Sequence, residues 1–163
     1  IKEYLFNLYK QDHFRTIDSK YFSCEHFNKK FNCFKNETVL SIFHLNIQSL
    51  NSKSRSFVTF LNLFDIKFDV IFLSEIWATN IDFYTNLLDG YSFHSELPSN
   101  STVGGIGMFI NNSISCKPRH DLHVTLPSGY LCENIWFEIL KNKSKFIIGG
   151  IYRHPKQNVK EFC

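Results

Sequence analysis

Between Val39 and Ser74 the hydrophobic period changes twice, and that change limits the fold more than any other feature of the chain. VLSIFHLNI (39–47) is a short apolar run of strand length. SKSRSFVTFLNLF (52–64) then places Phe57, Phe60, Leu61 and Phe64 at i, i+3, i+4 and i+7, one face of a helix. DVIFLS (69–74) is apolar at successive positions, as a central strand covered on both faces requires. Strand, amphipathic helix and strand in this order predict a βαβ unit with two parallel strands.

Beyond this unit the chain reads mainly as consecutive antiparallel strands. NIDFYTNLL (80–88) predicts a short helix, and GYSFHSE (90–96), GGIGMFIN (104–111) and SISCKP (113–118) predict strands around the turn-forming PSNSTVG (98–104). LCENIWFEIL (131–140) and SKFIIGGIYR (144–153) flank KNK (141–143), the pattern of a compact hairpin. The sharp pattern begins at residue 39. Residues 1–38 are polar and aromatic without a clear period, and they read as a leader of uncertain structure outside a domain spanning 39–163.

With 163 residues the chain has room for one ordinary domain with a real core. A net charge of +3 permits a polyanionic partner without requiring one. No apolar run approaches the length of a membrane helix, so no membrane partner is expected. Five cysteines at irregular spacing (24, 33, 116, 132 and 163) make a poor disulfide framework, and reduced thiols in an intracellular setting fit better. Cys24, His26 and Cys33 match no usual zinc spacing and lack a fourth ligand.

Parallel strands joined by a right-handed crossover bring their carboxyl ends to one edge of the sheet, where open α/β sheets place ligands. Asn46 closes the first strand and Glu75 the second. An amide oxygen and a carboxylate, with no Cys or His beside them, suit a hard cation such as Mg²⁺. On spacing alone a second reading is favoured, because βαβ units with a polar residue at each strand end are common: Asn46 caps the next segment and Glu75 is simply solvated.

The words around these residues add to the spacing. LNIQSLNSK, LSEIW, GGIGMFI and IGGIYRHP, in this order between Val39 and Pro155, resemble the apurinic-type endonuclease domain of non-LTR (LINE-like) retrotransposon polyproteins. That domain belongs to the endonuclease/exonuclease/phosphatase superfamily. The resemblance implies an α/β (α+β) fold, a partial four-layer α/β/β/α sandwich of the deoxyribonuclease I-like type, truncated at the carboxyl end. It implies Mg²⁺-dependent (or Mn²⁺-dependent) hydrolysis of a DNA phosphodiester, with Asn46 and Glu75 at the metal and Tyr152 at the scissile phosphate. DNA and a parent polyprotein with a reverse transcriptase are the implied partners, and the nucleus the implied place of action.

Two departures from the family pattern bear on function. YRHP replaces the usual YRPP, keeping Pro155 and placing His154 near the expected phosphate. The family's Gly-Asp-Phe-Asn and Ser-Asp-His motifs, which supply a water-orienting aspartate and a catalytic histidine, do not occur in the sequence, so this chain alone is expected to be inactive. His44, His94, His120 and His123 read as ordinary strand or loop residues. Two alternatives remain open: another superfamily enzyme of the sphingomyelinase or inositol phosphatase kind, or a non-catalytic DNA-binding module using Lys141, Lys143, Lys145, Arg153 and Lys156. Ile147, Ile148 and Ile151 are expected to be partly unpacked.

Overall fold

The computed structural model describes residues 20–31, 39–98, 102–125 and 132–154. In chain order these form α1 (Cys24–Phe31), β1 (Ile42–Asn46), α2 (Leu50–Leu61), β2 (Val70–Ser74), β3 (Tyr91–Glu96), β4 (Ile106–Asn111), β5 (Ser115–Pro118), β6 (Cys132–Lys141) and β7 (Ser144–Arg153). The segment 80–88 forms only a short 3-10 turn, Asp82–Tyr84. Local side-chain bonds compete with a helix there, Asn80 Oδ1 accepting from Asp82 N at 2.9 Å and Thr85 Oγ1 donating to Asp82 O at 2.8 Å.

The strands make two sheets. The first has the order β1-β2-β4-β3, the second β5-β6-β7. β1 and β2 are parallel neighbours, as the βαβ pattern predicts, and every other pairing is antiparallel. DVIFLS is apolar throughout because β2 serves two cores. Ile71 and Leu73 pack with Leu50 and Phe57 of α2, while Val70 packs with Met108, Ile110, Phe137 and Ile139 between the sheets.

The segment expected to lie outside the domain carries α1, and α1 packs on the first core. Phe27 meets Phe64 edge-on at 5.3 Å, and Asn28 donates to Leu63 O at 2.8 Å and accepts from Asp65 N at 3.2 Å. Two phenylalanines one turn apart, Phe27 and Phe31, were too little apolar signal for periodicity to mark a helix face. Cys33, the third member of the possible zinc set, lies outside the described residues.

β6 and β7 close through the two-residue loop Asn142–Lys143, with φ of 49° and 68°, the type I′ geometry that matches strand twist. Ile147 and Ile151 on the outer face of β7 are 49% and 42% exposed, whereas Ile148 turns inward to the core between the sheets. The sheets approach closely at Gly150. A Cβ on this residue would overlap Phe72 Cε2, so only glycine lets the Phe72 ring lie against β7. Gly150→Ala is therefore expected to destabilise the fold by about 1–3 kcal/mol through overpacking. A urea midpoint equal to that of the wild type would show that the sheets do not meet here.

Candidate cation and phosphate site

The site begins as an extension of the β1–β2 pairing. Asn46 stands opposite Ser74 in the parallel register. Past the strand ends the backbone bonds continue, with Ile47 N donating to Ser74 O (3.0 Å), Ser49 N to Glu75 O (2.9 Å) and Leu50 N to Ile76 O (2.8 Å). From the other side, Gly105 O accepts from Ile76 N (3.2 Å) and Gly104 O from Trp77 N (3.0 Å). Glu75 and Trp77 sit at φ of 57° and 47°, in the left-handed region that non-glycine residues seldom adopt. Such residues cost on the order of 1–3 kcal/mol each and persist where surrounding bonds over-determine them. Here two flanking segments hold the loop by its backbone, and the Glu75 side chain is turned toward β1. Asn46 Nδ2 donates to Glu75 Oε1 at 2.8 Å.

The second sheet delivers its own polar groups to the same place. On the inner face of β6 the row Ile139, Phe137, Ile135 ends in Glu133, and on β7 the row Phe146, Ile148, Gly150 ends in Tyr152. Glu133 and Tyr152 are directly opposite one another. Burial raises the pKa of the Tyr152 phenol above 10, assisted by the charge of Glu75, by a hydrogen bond to Glu75 and by the charge of Glu133. The three residues that the sequence singled out, Asn46, Glu75 and Tyr152, are thus brought together. His154 joins them, its ring 5.2 Å from that of Tyr152 and edge-on to it.

Glu133 is a site residue that the sequence pattern did not single out. It is 3% exposed, and its Oε1 lies 3.1 Å from His154 Nε2. The only signal for it was a carboxylate at an inward position of an otherwise apolar alternation. Three other histidines lie apart from this group. His94 is tilted against Phe137 at 4.6 Å, and burial lowers its pKa; His44 stacks on Phe72 at 5.2 Å; His123 lies 3.1 Å from Glu96 Oε1.

The donor set fits a hard divalent cation. Mg²⁺ takes one or two protein oxygens and keeps several waters, which the Glu75 carboxylate satisfies. Asn46 faces that carboxylate through Nδ2, so its amide oxygen would reach a cation after the amide turns. Among the described residues no group of three or more His, Cys, Asp or Glu is arranged to hold a metal ion.

Lys141 and Lys145 do not stand at this edge. Lys141 turns inward, with Nζ 2.7 Å from Asp69 Oδ2 and 2.9 Å from Val39 O, and Lys145 pairs with Glu138 at 3.2 Å. Both lie at the turn end of a hairpin whose strands have 10 residues, about 30 Å from Arg153 at the open end. Lys156 lies outside the described residues.

No family model matches the sequence, and no curated protein matches it in sequence. In three dimensions the chain is similar to the crystal structure of a humanized D. rerio TDP2 with 14 mutations, at a TM-score of 0.50 and 16% identity. The match covers 69% of this chain and 49% of the other, so the chain spans about half the length of that structure. At this identity the likeness concerns the fold, and the fold is a mixed α/β sandwich of the deoxyribonuclease I-like type.

Proposed function

We propose that this chain carries the cation- and phosphate-binding part of a Mg²⁺-dependent phosphodiesterase site, and that its substrate is DNA. The observation that carries this reading is the meeting of Asn46, Glu75 and Tyr152 at the carboxyl edge of the parallel pair. Glu75 presents a hard oxygen donor there, and Asn46, which donates Nδ2 to Glu75 in the free site, would turn its amide oxygen to the cation. A bound Mg²⁺ (or Mn²⁺) supplies Lewis-acid neutralisation of charge on the phosphate and the leaving oxygen. Tyr152, a phenol protonated at neutral pH, has one proton, which the hydrogen bond to Glu75 takes in the free site. An entering phosphate oxygen would draw that donor to itself in a partly water-excluded site, where such bonds are strong.

The finer reading is the endonuclease domain of a non-LTR retrotransposon polyprotein. In that role the site nicks nuclear target DNA, and the freed 3′-hydroxyl primes a reverse transcriptase of the same polyprotein. What supports it is that each of the four sequence words supplies one part of a single site. LNIQSLNSK contains Asn46, LSEIW contains Glu75, GGIGMFI begins with the two glycines that hold the Glu75 loop, and IGGIYRHP contains Gly150, Tyr152 and His154. The separation of Lys141 and Lys145 from Arg153 disfavours a binding module built on one basic face. A sphingomyelinase- or inositol phosphatase-like enzyme would use the same cation site on a different phosphate ester, so substrate choice separates those readings.

The chain is expected to bind Mn²⁺, and Glu75→Ala to abolish that binding. Mg²⁺-supported binding of duplex DNA should weaken about tenfold in Tyr152→Phe, the loss expected for one hydrogen bond to a charged group. DNA binding indifferent to Mg²⁺, Glu75 and Tyr152 would remove the phosphodiesterase reading.

Plasmid nicking with Mg²⁺ is a separate measurement. This chain is expected to leave supercoiled plasmid intact, because its sequence holds neither Gly-Asp-Phe-Asn nor Ser-Asp-His. Nicking that Glu75→Ala abolishes would show instead that the groups present are catalytically sufficient.

A further inference from the structure

His154 occupies the position where the family pattern has proline, and the structure ties it to a carboxylate from a different strand. Glu133 is buried and His154 half-buried, their side chains 4% and 14% exposed, with Nε2 3.1 Å from Oε1. The second oxygen, Glu133 Oε2, is buried without a hydrogen-bond partner among the described residues. A buried carboxylate satisfied on one side only is costly. An apolar residue continuing the row Ile139, Phe137, Ile135 would serve packing better. Packing alone therefore does not account for Glu133.

The imidazole has a fitted seat. A Cβ at position 104 would lie 2.8 Å from both Cε1 and Nε2 of His154 and 3.3 Å from Cε1 of Tyr152, so Gly104 is the floor on which both rings rest. Gly104 also accepts the backbone bond from Trp77 that fixes the Glu75 loop. Tyr152 thus has His154 edge-on beside it, Gly104 close under its ring edge, Glu133 opposite on the neighbouring strand and the Glu75 carboxylate at its hydroxyl.

We infer that Glu133 and His154 form a positioning pair that fixes the Tyr152 phenol against Glu75, and so sets the orientation of the carboxylate that binds the cation. This inference rests on the proposed cation site. The pair is distinct from the missing histidine motif, because neither residue has to touch a substrate. Its role resembles that of the outer groups that orient metal ligands, whose removal costs about 10–100-fold in metal affinity.

The test uses the 163-residue chain with Mn²⁺ as probe, and ¹³C label in the tyrosine rings, the Tyr152 resonance being assigned by its loss in Tyr152→Phe. His154→Ala, Glu133→Gln and Tyr152→Phe are each expected to weaken Mn²⁺ binding about tenfold. The double variant His154→Ala/Tyr152→Phe should be no weaker than the weaker single, because both changes act through one hydrogen bond. His154→Gln, whose amide can still donate to Glu133, should restore most of the affinity. The Tyr152 ring resonance should move in both His154→Ala and Glu133→Gln.

Affinities equal to wild type, or losses that add in the double variant, overturn the inference. Glu133→Gln is nearly isosteric, so it decides the matter if His154→Ala fails to fold. If the wild-type chain shows no Glu75-dependent Mn²⁺ binding, the cation site itself is wrong and the ring resonance alone judges the pair. A resonance unmoved in both variants then overturns it, and a moved one upholds it as a device that positions Tyr152.

Discussion

The backbone bonds that carry the β1–β2 pairing past the ends of its strands are what the rest of the site depends on. Three of them, from Ile47, Ser49 and Leu50 to the carbonyls of Ser74, Glu75 and Ile76, keep two loops in register after the regular strands stop. The loop after β2 is consequently held at left-handed backbone angles, and the Glu75 side chain is turned toward Asn46 instead of outward into solvent. The same bonds set where α2 starts. Leu50 is fully buried at the first helical position, and Ser49 Oγ accepts from Ser52 N at 3.3 Å as its cap. The Gly104–Gly105 corner completes the hold from the neighbouring strand, with glycine allowing the φ of 103° and 77° that the corner requires.

A second constraint joins the sheets. At Gly150 the β7 backbone approaches the Phe72 ring closely enough to exclude any side chain, which brings Tyr152, two residues on, to the level of Glu75. At the opposite end Lys141 crosses to Asp69, whose Oδ2 also takes Ser41 N at 2.7 Å and Ser41 Oγ at 2.8 Å. Apolar rows lie between these two ties. The polar groups stand at the row ends, where the inner faces of both sheets run out on one edge.

Much of this was written locally. The change of hydrophobic period across 39–74 marked β1, α2 and β2, because a helix and a doubly covered strand have different apolar spacings. Asn46 and Glu75 were placed together by one rule of connection, and Tyr152 came from motif resemblance, since a tyrosine at the end of a strand is otherwise indistinguishable from a packed aromatic. The helix at 80–88 failed because the Asn80 and Thr85 side chains offered the backbone of Asp82 local partners. α1 went unseen because its hold on the core is tertiary, through Phe27 and Asn28.

The parallel pair, the hairpin and the edge at which a carboxylate and an amide meet were all legible in the residues, because periodicity, turn chemistry and the hand of a crossover act over a few residues at a time. Long-range packing set the rest: β4 lies between β2 and β3, the strands divide into two sheets, and Glu133 and His154 join the site. It also consumed Lys141 in an internal bond, so that its charge is not offered to a partner. Each of these depends on which residues, distant in the chain, come within hydrogen-bond or packing distance. No local pattern encodes that distance until the two sheets close on each other.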